Sequence, residues 1–210
     1  MTEAPDAIGI SGIVLAGGRS SRFGSDKLVA RVDGERLLDR AVAALAAVSV
    51  EVVVVTEPGA TREPPRAQPS VTVRVVADPE SFGGPLVGLL AGLEAASEPI
   101  VVVIGGDMPS VAPAVVRLLA GRLLADANHD AAILEARGRR VPLPIALRTG
   151  AATTAARRLI GDGERRLRAI AERLRPIALA EGEWRPLDPA GDTLRDVDEP
   201  GDLRAGDPRR

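Results

Sequence analysis

Three runs of β-branched and aliphatic residues frame this chain: Ile8 to Leu15, Val50 to Thr56 and Ile100 to Ile104, with Val71 to Ala77 as a fourth that alternates less cleanly. Runs that are apolar without a break suit strands covered on both faces, as in a parallel sheet buried between helices. The stretches between them carry helical spacing. Leu37, Leu38, Ala41, Val42 and Leu45 form one stripe, Leu86, Val87, Leu90 and Leu93 a second, and Val115, Val116, Leu118, Leu119 and Leu123 a third. Strand and helix alternate from Ile8 to about Leu124. The expected fold class is therefore α/β: a doubly wound, mostly parallel sheet with helices on both faces and right-handed crossovers.

The second part is less regular. Ala131 to Glu135 and Val141 to Leu147 read as strands flanking the turn Ala136-Arg-Gly-Arg-Arg140. Helices near Thr153 to Ile160 and Glu164 to Leu174 follow, then a short strand at Thr193 to Val197. The Pro-rich stretch Glu57 to Pro69 is a loop, and no long linker separates the two parts, so residues 1–210 are expected to form a single domain.

Composition removes several classes of function. Only Phe23, Phe82 and Trp184 are aromatic, so the core must be built from Val, Leu, Ile and Ala, and stacking platforms for single strands are missing. A net charge of −2 gives no basic footprint, and binding to nucleic acid is not expected. No apolar run approaches the roughly 20 residues of a membrane span, and the start Met1-Thr-Glu-Ala-Pro-Asp has no basic n-region, so a cytoplasmic protein without membrane contact is expected. With no cysteine and one histidine, His129, thiolate chemistry and multi-histidine metal sites are excluded; any metal must be a hard one held by oxygen. His129 reads as a solvated surface residue and Trp184 as a residue that packs locally.

Four motifs carry chemistry. Strand one ends in Ile13-Val-Leu-Ala-Gly17-Gly18, and the residues that follow hold Arg19, three serines, Arg22 and then Asp26-Lys27. Adjacent glycines at a strand's carboxyl end bring backbone N–H groups close to a phosphate, so the loop reads as an anion cradle. It is neither a P-loop nor a dinucleotide fingerprint. Lys27 stands out because every other cation is an arginine, 26 of 27, and a compact ammonium is the better point charge in a crowded phosphate site.

The second motif, Val101-Val-Val-Ile-Gly-Gly-Asp107-Met-Pro109, sends a buried strand into two glycines and a carboxylate placed to hold Mg2+ against nucleotide phosphates, the alternative being a cap for the helix that begins near Pro113. Third, Asp78-Pro-Glu-Ser-Phe-Gly-Gly-Pro-Leu-Val-Gly88 places Gly83 and Gly84 where backbone groups reach a base or sugar. Fourth, Asp196-Val-Asp198 at an expected strand end points two carboxylates to opposite faces, so only one can face the site, and capping of a following helix is the alternative. The arginines around Gly163 to Arg168 read as a solvated face.

Taken in order, Leu-Ala-Gly-Gly-x-Ser-x-Arg-Phe-Gly-x-Asp-Lys at 15–27, Gly84-Pro-Leu-x-Gly88, Gly-Asp-Met-Pro at 106–109 and Asp-Val-Asp-x-Pro-x-Asp-Leu at 196–203 resemble the molybdenum cofactor guanylyltransferases, within the wider sugar-phosphate-type nucleotidyltransferases. Ala-Gly-Gly resembles the guanylyl-transferring branch more than the cytidylyl-transferring one, which tends to carry Ala-Ala-Gly. The resemblance implies a nucleotide-diphospho-sugar-transferase-like fold, with a nucleotide-binding half at 7–125, an acceptor-side half at 126–203 and a tail at 204–210. It implies Mg2+-dependent transfer of GMP from GTP to the phosphate of molybdopterin, with pyrophosphate released.

By the same resemblance Leu15, Ala16 and Gly17, with Gly18, line the nucleotide; Arg22 and Lys27 contact its phosphates; Thr56 is a polar nucleotide contact; Asp78 lies in the pocket; and Asp107 binds Mg2+, with Asp198 as a second carboxylate ligand. Two departures are visible: Phe23 stands where methionine is usual, and Asp196 and Asp198 where asparagines are common. Alternatives are a related enzyme using CTP or another phosphorylated acceptor, and a non-catalytic nucleotide-binding protein. Base choice is not written in side chains, since Asn128 and Gln68 are the only amides and neither is near an expected strand end. Oligomeric state is not legible; with no exposed apolar stripe evident, a monomer is the default expectation.

Overall fold

The structure, a computed structural model, describes residues 9–17, 27–32, 34–60, 63–66, 70–79 and 83–197. Strand β1 (Ile10–Ala16) leads through a 3-10 turn (Lys27–Val29) and a small hairpin, β2 (Arg31–Val32) with β3 (Glu35–Arg36), into helix α1 (Leu37–Ala46). Then follow β4 (Glu51–Thr56), β5 (Thr72–Ala77), α2 (Pro85–Ala95), β6 (Ile100–Gly105) and α3 (Pro113–Ala125). The remainder comprises β7 (Ala131–Ala136), β8 (Arg139–Arg148), α4 (Thr149–Gly161), α5 (Arg168–Arg173), β9 (Pro176–Leu179) and α6 (Glu181–Trp184), with 3-10 turns at Arg185–Leu187 and Asp192–Leu194.

Seven strands form one sheet in the order β5-β4-β1-β6-β8-β7-β9. All neighbours pair in parallel except the two that involve β8, which alone runs against the rest. The period-two alternation of strands divides the sheet's side chains between two cores. Ile10, Val14, Val52, Val54, Ile100, Val102 and Ile104 pack with α1 and α3, joined by Trp184. Ile13, Val53, Val55, Val101 and Val103 face the other way and pack with α2, α4 and α5. The expected α/β sandwich is therefore the observed one, and its unbroken valine runs are completely buried in β4 and β6. β5 alternates less cleanly because it lies at the edge, with Val75 half exposed. None of the described helices is long and apolar enough to cross a membrane.

The structure departs from the expected elements in three places. No strand forms at 193–197: the Asp188 carboxylate accepts the N–H groups of Gly191, Asp192 and Thr193, curling that backbone into the 3-10 turn Asp192–Leu194. Burial alone would raise the Asp188 pKa, but these N–H groups hold it below the usual carboxylate range. The helix expected over Glu164 to Leu174 shrinks to Arg168–Arg173, since the Glu164 carboxylate takes the N–H groups of Arg165 and Arg166 and competes with helical bonding. Finally, Pro176–Leu179, absent from the sequence reading, adds in parallel to β7 as the far edge strand.

The amino end of the sheet holds a buried polar knot. Glu51, 6% exposed, opens β4 and accepts hydrogen bonds from Ser11 Oγ (2.6 Å), Ser97 N–H (2.6 Å), Ser97 Oγ (2.7 Å) and Arg74 (2.5 Å). Burial by itself would raise the Glu51 pKa, yet these four donors outweigh it and bring the value down to about 2. One carboxylate thereby ties β1, β4, β5 and the segment before β6 together.

A depressed folded-state pKa contributes stability that is fully present above the unfolded value and is lost as pH falls through the folded one. Glu51 therefore supports the fold from about pH 4.5 upward and ceases to do so as pH falls through about 2. Glu51→Gln is expected to lower stability at pH 7 by about 3 kcal/mol and to flatten the acid limb of the stability profile. Urea titrations between pH 7 and pH 2 would check both.

Candidate functional site

The chain runs from β1 out to β4 and β5, then returns to place β6 on the other side of β1. Its winding direction thus reverses between β1 and β6, and in open α/β sheets the crevice at such a switch point, outside the carboxyl ends of the strands, is where ligands bind. Here the two strand ends are joined directly: Gly106 N–H donates to Leu15 C=O at 2.9 Å.

Close packing at this junction explains its glycines. A Cβ at Gly106 would lie 3.2 Å from Leu28 Cδ2 and 3.4 Å from Leu15 O, and one at Gly105 would run into Asp107 Oδ1. Leu28, 5% exposed, is driven into the core beside Gly106 and so fixes the 3-10 turn that begins at Lys27. Lys27 Nζ then meets Asp107 Oδ2 at 2.7 Å, with the two side chains 19% and 27% exposed. The lone lysine and the carboxylate at the end of β6, separated by 80 positions in the chain, are one ion pair at the switch point.

Asp107 is not a helix cap. α3 begins from Ala112, has Pro113 in its first turn and no side-chain cap, so the capping alternative does not hold. The terminal motif reaches the same place, for Val197 is buried and its N–H donates to Asp107 C=O at 2.9 Å. Because 193–197 is no strand, the argument that Asp196 and Asp198 point to opposite faces lapses; Asp196 is exposed, next to a residue bonded to the Asp107 backbone. Arg22, Gly18 and Asp198 lie outside the described residues.

Leu15 and Ala16 finish β1 at the junction and Gly17 follows, exposed, its Cβ position 3.6 Å from Glu57 N. Thr56 ends β4 but is buried, and its hydroxyl is directed to Val76 C=O at 3.4 Å, so it braces β5. Asp78 follows β5, donates its N–H to Thr56 C=O at 2.7 Å, and lies against the start of α2, where a Cβ on Gly88 would be 3.3 Å from Asp78 Oδ2. Gly84, at φ 91°, turns the chain into α2 and packs on the backbone of Arg165, whose C=O accepts from Leu86 N–H at 3.2 Å. The α4–α5 connection is thereby held at the mouth of α2. Within it the Glu164 carboxyl is kept at about 2, first by the Arg166 side chain and then by the N–H groups of Arg166 and Arg165.

Sequence reasoning missed Leu28 and Val197, which touch no expected ligand but carry the ion pair's geometry. The available signal was modest: Leu28 opens a short apolar run directly after Lys27, and Val197 is an apolar residue between two aspartates. His129 precedes the amino end of β7, at the opposite end of the sheet from Asp107. Trp184 is fully buried, its Nε1–H given to Glu135 C=O at 2.9 Å, so it is a core residue and its packing is not merely local.

Among the described residues no group of three or more His, Asp or Glu side chains forms a metal cage. Mg2+ binds through one or two carboxylates together with substrate phosphates and water, so the lack of a cage does not bear on it; the carboxylate at the junction is that of Asp107, paired with Lys27.

Comparison with known proteins finds relatives over most of the chain. The family model of the MobA-like NTP transferase domain matches residues 12–177. A probable molybdenum cofactor guanylyltransferase from Chloroflexus aggregans is 36% identical over 203 residues, covering 93% of this chain and 92% of that protein. A molybdenum cofactor guanylyltransferase from Burkholderia vietnamiensis is 37% identical over 168 residues, covering 76% and 80%. The crystal structure of molybdopterin-guanine dinucleotide biosynthesis protein A from Archaeoglobus fulgidus shares the fold with a TM-score of 0.75 at 22% identity, covering 93% of this chain and 95% of that one. That of 2-C-methyl-D-erythritol 4-phosphate cytidylyltransferase from Thermus thermophilus shares it at 0.65 and 21%, covering 91% and 94%.

The packing argument makes paired glycines diverge. Gly105→Ala, where the new methyl meets the Asp107 carboxylate, is expected to cost about 1–3 kcal/mol, whereas Gly121→Ala in α3, with nothing within 4 Å, is expected to stabilise by roughly 0.5–1 kcal/mol. Equilibrium denaturation of the two variants measures the contrast.

Proposed function

The chain belongs to the MobA-like NTP transferases, and from that premise we propose that this nucleotidyltransferase moves GMP from GTP to the phosphate of molybdopterin, releasing pyrophosphate, with Mg2+ held at Asp107. The observation that carries the reading is the Lys27–Asp107 pair at the junction of β1 and β6, at the carboxyl end of the sheet. A phosphate oxygen of the acceptor attacks the α-phosphorus of GTP in line; the new P–O bond forms as the bond to the β-phosphate oxygen breaks, and pyrophosphate departs.

Such a transfer needs no nucleophile from the protein, which suits a chain with no cysteine and whose one histidine lies at the far end of the sheet. The residues' work is to position and to offset charge. Leu15, Ala16, Gly17 and Gly18 line the nucleotide, with backbone N–H groups turned to phosphate. Lys27 and Arg22 neutralise phosphate oxygens, Asp78 and Thr56 border the pocket, and Asp107, with Asp198 as a candidate second carboxylate, provides the oxygen ligands. When bound, Mg2+ supplies Lewis-acid stabilisation of charge on the phosphates. The ammonium of Lys27 is preorganised by Leu28 below it and Asp107 beside it, so little reorganisation is needed when a phosphate arrives.

Lys27→Ala is expected to reduce guanylyl transfer by about 10²- to 10³-fold while costing only about 1 kcal/mol of stability. Near-normal turnover of this variant at saturating Mg2+ and GTP would contradict the assignment. Asp107→Ala is expected to abolish Mg2+-dependent nucleotide binding, and titration calorimetry with unchanged affinity would remove Asp107 from the metal site. Pyrophosphate release assayed with each of the four NTPs, against molybdopterin and against sugar phosphates, tests base and acceptor together. Activity confined to CTP, or to a sugar phosphate, would replace the reading with the related transferase chemistry.

A further inference from the structure

One charged feature of the fold has no part in the chemistry above. The β7–β8 hairpin turns through Arg137 (φ 52°) and Gly138 (φ 70°), the two-residue turn with positive φ at both central positions that fits the twist of antiparallel strands. Arg137, Gly138, Arg139 and Arg140 are all exposed. Residues 135–140 thus carry three cations against one carboxylate, Glu135, which lies across the ladder from Arg140. Among the described residues no ion pair engages Arg139 or Arg140, and the Arg137 backbone N–H is tied to Glu181 Oε2 at 3.0 Å. The Glu181 carboxylate is itself occupied by Arg185.

The register places this tip at the same end of the sheet as the site. Val103 pairs with Ile145, and Ile145 with Ile133, so the three lie in one row across the sheet. Gly106 is three residues beyond Val103, and Ala136 is three residues beyond Ile133 in a strand of the same direction. The hairpin tip therefore lies toward the carboxyl end of β6, the end of the sheet that carries Asp107. The ladder between β7 and β8 shifts between Ile133 and Leu134, where Pro142, Leu143 and Pro144 have no partners. Two prolines without N–H groups force that bulge, and a bulge bends a strand and increases its twist, so the tip is released from the regular sheet. The nucleotide contacts proposed above lie at the ends of β1, β4, β5 and β6, whereas the hairpin lies beyond β6, built from β8 and β7.

We propose that Arg137, Arg139 and Arg140 form an acceptor-side contact that draws in and holds the anionic, phosphorylated acceptor, setting its affinity without taking part in phosphoryl transfer. This rests on the reading of the chain as a transferase that uses a phosphorylated acceptor. Charges of one sign at the rim of a cleft raise local substrate concentration and encounter rate in a salt-dependent way, and they leave the chemical step alone.

The test is steady-state kinetics of the full chain with Mg2+, GTP and molybdopterin, comparing wild type with Arg139→Ala/Arg140→Ala, with the charge-retaining Arg139→Lys/Arg140→Lys, and with Arg157→Ala/Arg158→Ala on α4 as a charge-matched control. The alanine pair is expected to raise the KM for molybdopterin about tenfold, leaving kcat and the KM for GTP unchanged. The lysine pair should retain most of the acceptor affinity and the α4 control should behave as wild type. Added salt should raise the wild-type acceptor KM and have little effect on the alanine pair. An active wild type with an unchanged acceptor KM in the alanine pair overturns the inference alone, as does an equal rise in the KM for GTP. A wild type that transfers nothing to molybdopterin overturns the functional reading and the inference with it.

Discussion

A single backbone hydrogen bond, Gly106 N–H to Leu15 C=O, locks the arrangement on which the site depends. β1 is flanked in parallel by β4 on one side and β6 on the other, so its carboxyl end is the one point where connections leave the sheet in both directions. Bringing Gly106 against Leu15 leaves little room for a side chain at that position, and the space is taken by Leu28. That apolar residue is what brings Lys27 to Asp107. The ion pair is thus a product of parallel pairing and close packing, with its electrostatics added last.

Polar chemistry is divided between the two ends of the sheet. At the amino end, Glu51 is saturated by donors from β1, β5 and the segment before β6, and its charge is committed to holding strands together. At the carboxyl end, Lys27 and Asp107 are partly exposed and remain within reach of a ligand. Valines buried on both faces separate the two, so that changes at one end have no polar route to the other.

Much of this was legible in the chain because the signals were redundant. Unbroken β-branched runs, helical stripes between them and glycines at strand ends all specify the same sheet, and the lone lysine and the Gly-Gly-Asp107 turn could be recognised by residue type alone. What was not legible depended on competition between side chain and backbone. Asp188 gathers three N–H groups and abolishes a strand at 193–197, while Glu164 gathers two and shortens a helix. Thr56, attractive as a polar residue at a strand end, turns its hydroxyl to its neighbour strand. β9 is four residues long, starts with proline and exists only because β7 offers an open edge. Local pattern identifies elements well where burial dictates them and poorly where a carboxylate dictates them.

The position of Trp184 has an optical consequence. It is the only tryptophan in the chain, fully enclosed, its indole N–H bonded to Glu135 C=O in β7 and its ring covered by the Arg185 guanidinium at 4.6 Å. Glu135 is two residues from the tip of the β7–β8 hairpin. The protein therefore carries an intrinsic fluorophore hydrogen-bonded to that hairpin, and with no tyrosine present its ultraviolet emission is a single-site signal.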